Sequence, residues 1–408
     1  MKKTFAIVLL ACLALLRAVA LAADLPVASA GLVRSESMGV YDVERLNKIL
    51  TEELGQFTTT KNTVVMPPAR NAVKLYRIVY RTVTPEQGNR PVLASGLLAV
   101  PVVGQKKLPV VSYQHGTVFS KNEVPSHPEQ SMETRLMIAQ FAGNGYVVIG
   151  ADYIGKGLSP EPDSYMVRES TAQACLDMLL AARQAMAGLG LEAAELFLSG
   201  WSQGAWSTMV FRNKLESLGV AVRAAATAST PSDLYLVVAR WINNPSPLDA
   251  DWLVGAVALL INSYENYYGL PGLSQAAIKE PYRQTARDFY ENKIDWATAE
   301  KALPAKVAQL LDDDFAKASS LVANRFFRLL GDNQAYRWRY LTPTRYYYGK
   351  SDEVLPPYVA TAPVEFQKTL GGAPALAVCA GDAADHRGTF VFGVADQKAW
   401  FDQLRQAK

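Results

Sequence analysis

The chain has 408 residues, half of them hydrophobic and 19% charged, with 41 Lys+Arg against 38 Asp+Glu and a formal net charge of +3. That apolar fraction and even charge balance exclude a disordered chain, and the length allows one large domain with an insertion, or two domains. Three cysteines exclude a disulfide-stapled scaffold.

Met1, Lys2 and Lys3 precede an apolar run from Phe5 to Leu16, and Ala20-Leu21-Ala22 follows as an A-x-A cleavage site. This is the layout of a secretory signal peptide over residues 1–22, so a secreted or periplasmic protein is expected. Arg17 interrupts the stretch and argues against a permanent membrane helix. Leu9-Leu10-Ala11-Cys12 imitates a lipoprotein box, but it comes early and more apolar sequence follows it. Removing residues 1–22 takes away Lys2, Lys3, Arg17 and no acid, which leaves bases and acids equal at 38 each. A neutral chain offers no electrostatic footprint for nucleic acid or an anionic membrane surface. No later apolar run is long enough to span a bilayer. Cys175 and Cys379 then remain. Both lie in apolar runs, where two buried free thiols fit at least as well as a disulfide.

Residues 23–73 read as an irregular N-terminal segment with one amphipathic helix, carrying Val43, Leu46, Leu50 and Leu54 on one face. From Lys74 the chain alternates. Strands are expected at 75–84, 92–101, 108–113, 146–149, 196–198 and 222–227, and helices at 132–141, 165–187 and 203–218. Short apolar strands alternating with amphipathic helices predict a mostly parallel central sheet with helices on both faces. This first part of the core covers 74–234. Residues 235–340 break the pattern with helical stretches rich in Trp and Tyr, which suit a small helical core, a cap over an apolar site, or both. Strands at 345–348 and 375–379, with helices at 358–370 and 390–404, complete the core over 341–408.

Gly200-Trp201-Ser202-Gln203-Gly204 is a G-x-S-x-G pattern between an expected strand and an expected helix. A nucleophile elbow needs that sharp turn, and it needs glycines so that neighbouring chains can approach. A serine hydroxyl also needs a base, and histidine is the natural one near neutral pH. Of three histidines, His115 is expected to shape a turn and His127 to lie on the surface. Only His386 follows both the serine and the later strands. The base in turn needs an acid to fix its tautomer. Asp352, on a turn after the strand at 345–348, is preferred over Glu353, Asp382 and Asp385. Oxyanion donors are expected from the amides of Gln203 and of Thr117, in the loop His115-Gly116-Thr117.

With these residues assembled, the sequence resembles an α/β-hydrolase, and more narrowly the secretory lipase family of microbial esterases and lipases. The resemblance rests on Tyr113-Gln114-His115-Gly116-Thr117, Ala151-Asp152-Tyr153-Ile154-Gly155-Lys156-Gly157, Gly200-Trp201-Ser202-Gln203-Gly204, and Asp352 with His386, and covers roughly residues 75–405. It implies the α/β-hydrolase fold with an inserted helical cap, and hydrolysis of carboxylic esters. It also matches Asp152 to a position near the site, expected to be structural. The expected partner is a small ester with a hydrophobic part.

Other chemistries fit poorly. Gly349-Lys350-Ser351 imitates the end of a phosphate-binding loop, but Thr344 stands where the first glycine is needed. No H-E-x-x-H or C-x-x-C occurs, so the sequence calls for no metal or cofactor. A peptidase or amidase with the same triad stays open, as does a non-catalytic binding protein on this fold.

Overall fold

The computed structural model describes residues 31–58 and 65–407. The expected signal peptide and Cys12 lie outside them. Nine strands form one sheet: β1 (Gly31–Tyr41), β2 (Val73–Thr84), β3 (Arg90–Pro101), β4 (Lys107–Gln114), β5 (Val147–Ala151), β6 (Glu192–Trp201), β7 (Ala224–Ala228), β8 (Thr344–Tyr348) and β9 (Ala375–Cys379). Their spatial order is β1-β2-β3-β5-β4-β6-β7-β8-β9. The pairings from β5 through β4 to β9 are all parallel, whereas β1–β2, β2–β3 and β3–β5 are antiparallel. β5 and β7 are buried along their whole lengths, as central parallel strands covered on both faces must be.

The helices used below are α1 (Val43–Lys48), α2 (Met132–Gln140), α3 (Arg168–Gly188), α4 (Gln203–Ser217), α5 (Leu234–Asn243), α6 (Leu253–Tyr267), α7 (Glu280–Tyr290), α8 (Trp296–Ala302), α9 (Arg325–Asp332), α10 (Pro357–Leu370) and α11 (His386–Gln406). α5 to α9, with shorter helices among them, all come between β7 and β8. Most of the aromatics in this stretch are core. Tyr264, Tyr267, Phe289, Phe326 and Phe327 are buried, and they join Trp206 of α4 and Tyr346 of β8 in one apolar cluster, except Tyr267, which packs on Ile154 and Val167. Two tyrosine hydroxyls tie this stretch to the loop after β5: Tyr267 donates to the Pro162 carbonyl at 2.7 Å, and Tyr290 to that of Asp163 at 3.0 Å.

Two details differ from the sequence expectations. Residues 31–41 are not irregular but form the edge strand β1, which pairs with β2 through a bulged register. The N-terminal helix is present, with Asp42 capping the Arg45 amide, but Ile49–Glu53 is a π-helical stretch. The buried face is carried by Leu46 and Ile49, Leu50 and Leu54 are half-buried, and Val43 is exposed. Cys175 is buried, Cys379 is half-buried, and both are free thiols. Among the described residues, no helix is long and apolar enough to cross a membrane.

Candidate active site

β6 runs straight into α4, and Ser202 forms the corner with φ 56° and ψ −124°. A left-handed φ at a non-glycine residue costs about 1–3 kcal/mol and persists only where the surroundings hold it. Here the two flanking glycines permit it. A Cβ on Gly200 would lie closer than 3.0 Å to the Gly204 carbonyl and Thr208 Oγ1. A Cβ on Gly204 would strike the Gln114 carbonyl at the end of β4. The motif's spacing is thus a packing requirement between β4, β6 and α4.

His386 is the first residue of α11, whose N-cap is Asp385, rather than a loop residue ahead of a later helix. Its ring is buried, with Nδ1 at 3.0 and 3.1 Å from the two carboxylate oxygens of Asp352. Asp352 is also held in place, since its Oδ1 accepts the amides of Val354 at 2.9 Å and Leu355 at 3.0 Å. The competing carboxylates have other partners. Glu353 accepts the His386 backbone amide at 2.9 Å, Asp385 accepts that of Gly388 at 2.6 Å, and Asp382 pairs with Lys350 at 2.8 Å on the surface. Trp201 fixes the start of α11 from the other side: its Nε1 donates to the His386 carbonyl at 3.1 Å, and its ring stacks on Phe390.

Burial pulls the His386 pKa down, but the charge and hydrogen bond of Asp352, aided by Glu353 and Asp385, outweigh it and raise the net value above 6.5. Burial likewise opposes ionisation of Asp352, and His386 and the backbone amide of Leu355 overcome it, so the carboxyl lies below its usual 3.8. His386 Nε2 is buried and has no hydrogen-bond partner among the described residues. His386 and Ser202 line the same cleft.

The loop after β4 is set by a residue the sequence did not single out. Glu133, in the first turn of α2, is buried and accepts the Gly116 amide at 3.2 and 3.1 Å and the Tyr113 hydroxyl at 2.5 Å. Burial pushes its carboxyl up to about 7, against those two donors, which hold it down. With the Gly116 amide taken by Glu133, the next amide in the loop is that of Thr117. Thr117, Ser202 and Gln203 line one apolar slot. His115 shapes the same turn, as expected, with its ring nitrogens 2.8 Å from the Gly116 carbonyl and 3.2 Å from that of Asp152. It is buried and stacked on Tyr153 at 4.3 Å, and desolvation lowers it to about 4. Asp152 is buried beneath the loop, accepting from Ser95 Oγ at 2.5 Å and the Ser126 amide at 2.9 Å. His127 is half-buried beside Ser126.

An acid in a first helical turn ordinarily reads as a partner of the helix dipole, so nothing in the sequence marks Glu133. Trp252 and Trp296, which line the cleft with Ser202 and His386, were equally hidden among the other aromatics of the insertion.

A mostly parallel sheet, a serine on the sharp corner between β6 and α4, an acid on the loop after β8 and a histidine opening α11 after β9 fit an α/β-hydrolase fold. No family model and no curated protein matches the chain. Solved structures do. A Legionella pneumophila protein superimposes with a TM-score of 0.80 at 23% identity, covering 92% of this chain and 99% of that one. The rice cell wall degrading esterase LipA of Xanthomonas oryzae gives 0.79 at 20% identity, covering 92% and 98%. Candida antarctica lipase A gives 0.63 at 16% identity, covering 87% and 77%. At these identities the likeness is one of fold.

Proposed function

We propose that the chain is an exported carboxylic ester hydrolase, an esterase or lipase that works through Ser202, His386 and Asp352. The observation that most supports this is the pairing at His386: Nδ1 is held by Asp352, Nε2 has no hydrogen-bond partner among the described residues, and His386 lines the same cleft as Ser202. Ser202 Oγ attacks the ester carbonyl as His386 Nε2 takes its proton. The amides of Thr117 and Gln203 hold the tetrahedral oxyanion. Collapse breaks the bond to the alcohol, which leaves with the proton from His386, and an acyl-Ser202 ester remains. Water, deprotonated by His386, then attacks that ester and restores Ser202. Asp352 keeps the proton of the neutral ring on Nδ1 and stabilises the imidazolium. The helices of 235–340 act as the cap over the cleft. Hydrolysis of p-nitrophenyl esters by the purified protein tests the class. Turnover of matched amides at equal rates would move the assignment to a peptidase or amidase.

Two further outcomes follow from the electrostatics. A protonated His386 cannot accept the serine proton, so activity is present above its pKa and lost as pH falls through it. Because that pKa is raised, kcat/KM should decline through a midpoint above 6.5. A profile flat down to pH 5 contradicts the assigned base.

Glu133→Gln keeps the side-chain shape but puts an NH2 donor in place of one of the two oxygens that accept the Gly116 amide and the Tyr113 hydroxyl. Loosening the loop that carries Thr117 should lower kcat by about tenfold to a hundredfold, with KM little changed. The limb of the pH profile due to His386 should remain. An unchanged kcat would make Glu133 purely structural.

A further inference from the structure

Two spaces of very different size meet at Ser202. One is a slot of about 40 Å³, lined beyond Thr117, Ser202 and Gln203 by apolar side chains that include Val237, Val238, Leu253, Ala256 and Leu260. These five are all under 5% exposed and belong to one packed cluster, so the slot cannot widen without repacking α5 against α6. The other is an open cleft of about 780 Å³ that contains His386. Its walls combine Trp252 and Trp296 with ionic groups of both signs, among them Lys121, Lys293, Asp295 and Glu300. Lys121 and Asn292 also line a neighbouring groove of about 580 Å³ that reaches Glu265 and Arg287.

The chemistry decides which half of an ester takes which space. The departing alcohol must receive its proton from His386, and His386 lines the cleft but not the slot. The alcohol therefore occupies the cleft, and the acyl chain continues past Ser202 into the slot. One water-sized probe fills roughly 10–15 Å³, so about 40 Å³ holds about three chain atoms. Lys293, Asp295 and Glu300 are exposed along the cleft wall and keep it wet, so a polyhydroxylated alcohol, which can hydrogen-bond to them and to that water, suits the cleft better than an apolar one.

Resting on the esterase reading above, we infer that the substrates are short-acyl esters, acetyl to about butyryl, of a large and polar uncharged alcohol. Specificity on the acyl side is then set by side chains of α5 and α6, Val238 and Leu260 among them.

The test is kcat/KM for p-nitrophenyl acetate, butyrate, octanoate and palmitate, alongside sucrose monobutyrate against octyl butyrate, with Ser202 labelled in parallel by a fluorophosphonate. The expected result is a fall of at least about tenfold from butyrate to octanoate, and preference for the sugar ester over octyl butyrate. Leu260→Ala should raise the octanoate-to-butyrate ratio by about tenfold. If Ser202 labels and esters turn over but octanoate or palmitate matches butyrate, the acyl limit is wrong while the hydrolase reading stands. A preference for octyl butyrate overturns the polar alcohol in the same way. If no ester turns over and Ser202 does not label, both fall together.

Discussion

Ser202→Ala should lower kcat for p-nitrophenyl butyrate by about five orders of magnitude, with the fold unchanged. Alanine carries the same Cβ, so it bears the φ of 56° as serine does, and the packing that enforces the corner lies in Gly200, Gly204 and Gln114. What disappears is the oxygen that the proposed mechanism joins to the acyl group. A variant that unfolds at the wild-type temperature and hydrolyses esters only at the background of a protein surface is the expected outcome. Retention of even a tenth of the wild-type turnover would put the nucleophile elsewhere.

Asp352→Asn should cost about 10⁴-fold in kcat for a different reason. The asparagine oxygen can still accept the amides of Val354 and Leu355, so the loop after β8 keeps its shape. Its amide nitrogen then faces His386 Nδ1 and turns that nitrogen into an acceptor. The ring proton moves to Nε2, which can no longer accept from Ser202. The loss should appear in kcat while substrate binding is retained. A near-normal rate would shift the role to another carboxylate, and Glu353, already on the His386 amide, is the nearest candidate.

Both variants rest on residues that are legible in the sequence. The alternation of apolar runs was legible because the central strands are covered on both faces, so that Val147–Ala151 and Ala224–Ala228 contain only buried residues. β1 was not legible. It is an edge strand with half of its residues exposed, and its register is set by backbone pairing with β2 rather than by an apolar face. The π-helical stretch at Ile49–Glu53 is hidden for a related reason, since apolar spacing marks a helical face without distinguishing a wider turn within it.

At the site, the elbow was legible because its glycines are demanded locally. The choice among Asp352, Glu353, Asp382 and Asp385 is a different matter. Asp382 and Asp385 are the nearer two to His386 in sequence, yet the path of the chain after β8 brings Asp352 to the ring while Asp385 is occupied as an N-cap. Glu133 and Gly116 are 17 residues apart and meet only because α2 packs behind the end of β4. A buried acid of that kind has no sequence signature, although it holds the loop that carries Thr117, the proposed oxyanion donor.

The central claim is that Ser202 is a nucleophile activated by His386. It is tested most directly by exposing the purified protein to a fluorophosphonate and locating the adduct by mass spectrometry of the peptides. The account predicts one adduct per chain, on the peptide containing Gly200-Trp201-Ser202, formed more slowly as pH falls below the His386 pKa and absent in Ser202→Ala. An adduct on another residue, or ester hydrolysis that continues in protein carrying no adduct at all, would contradict it.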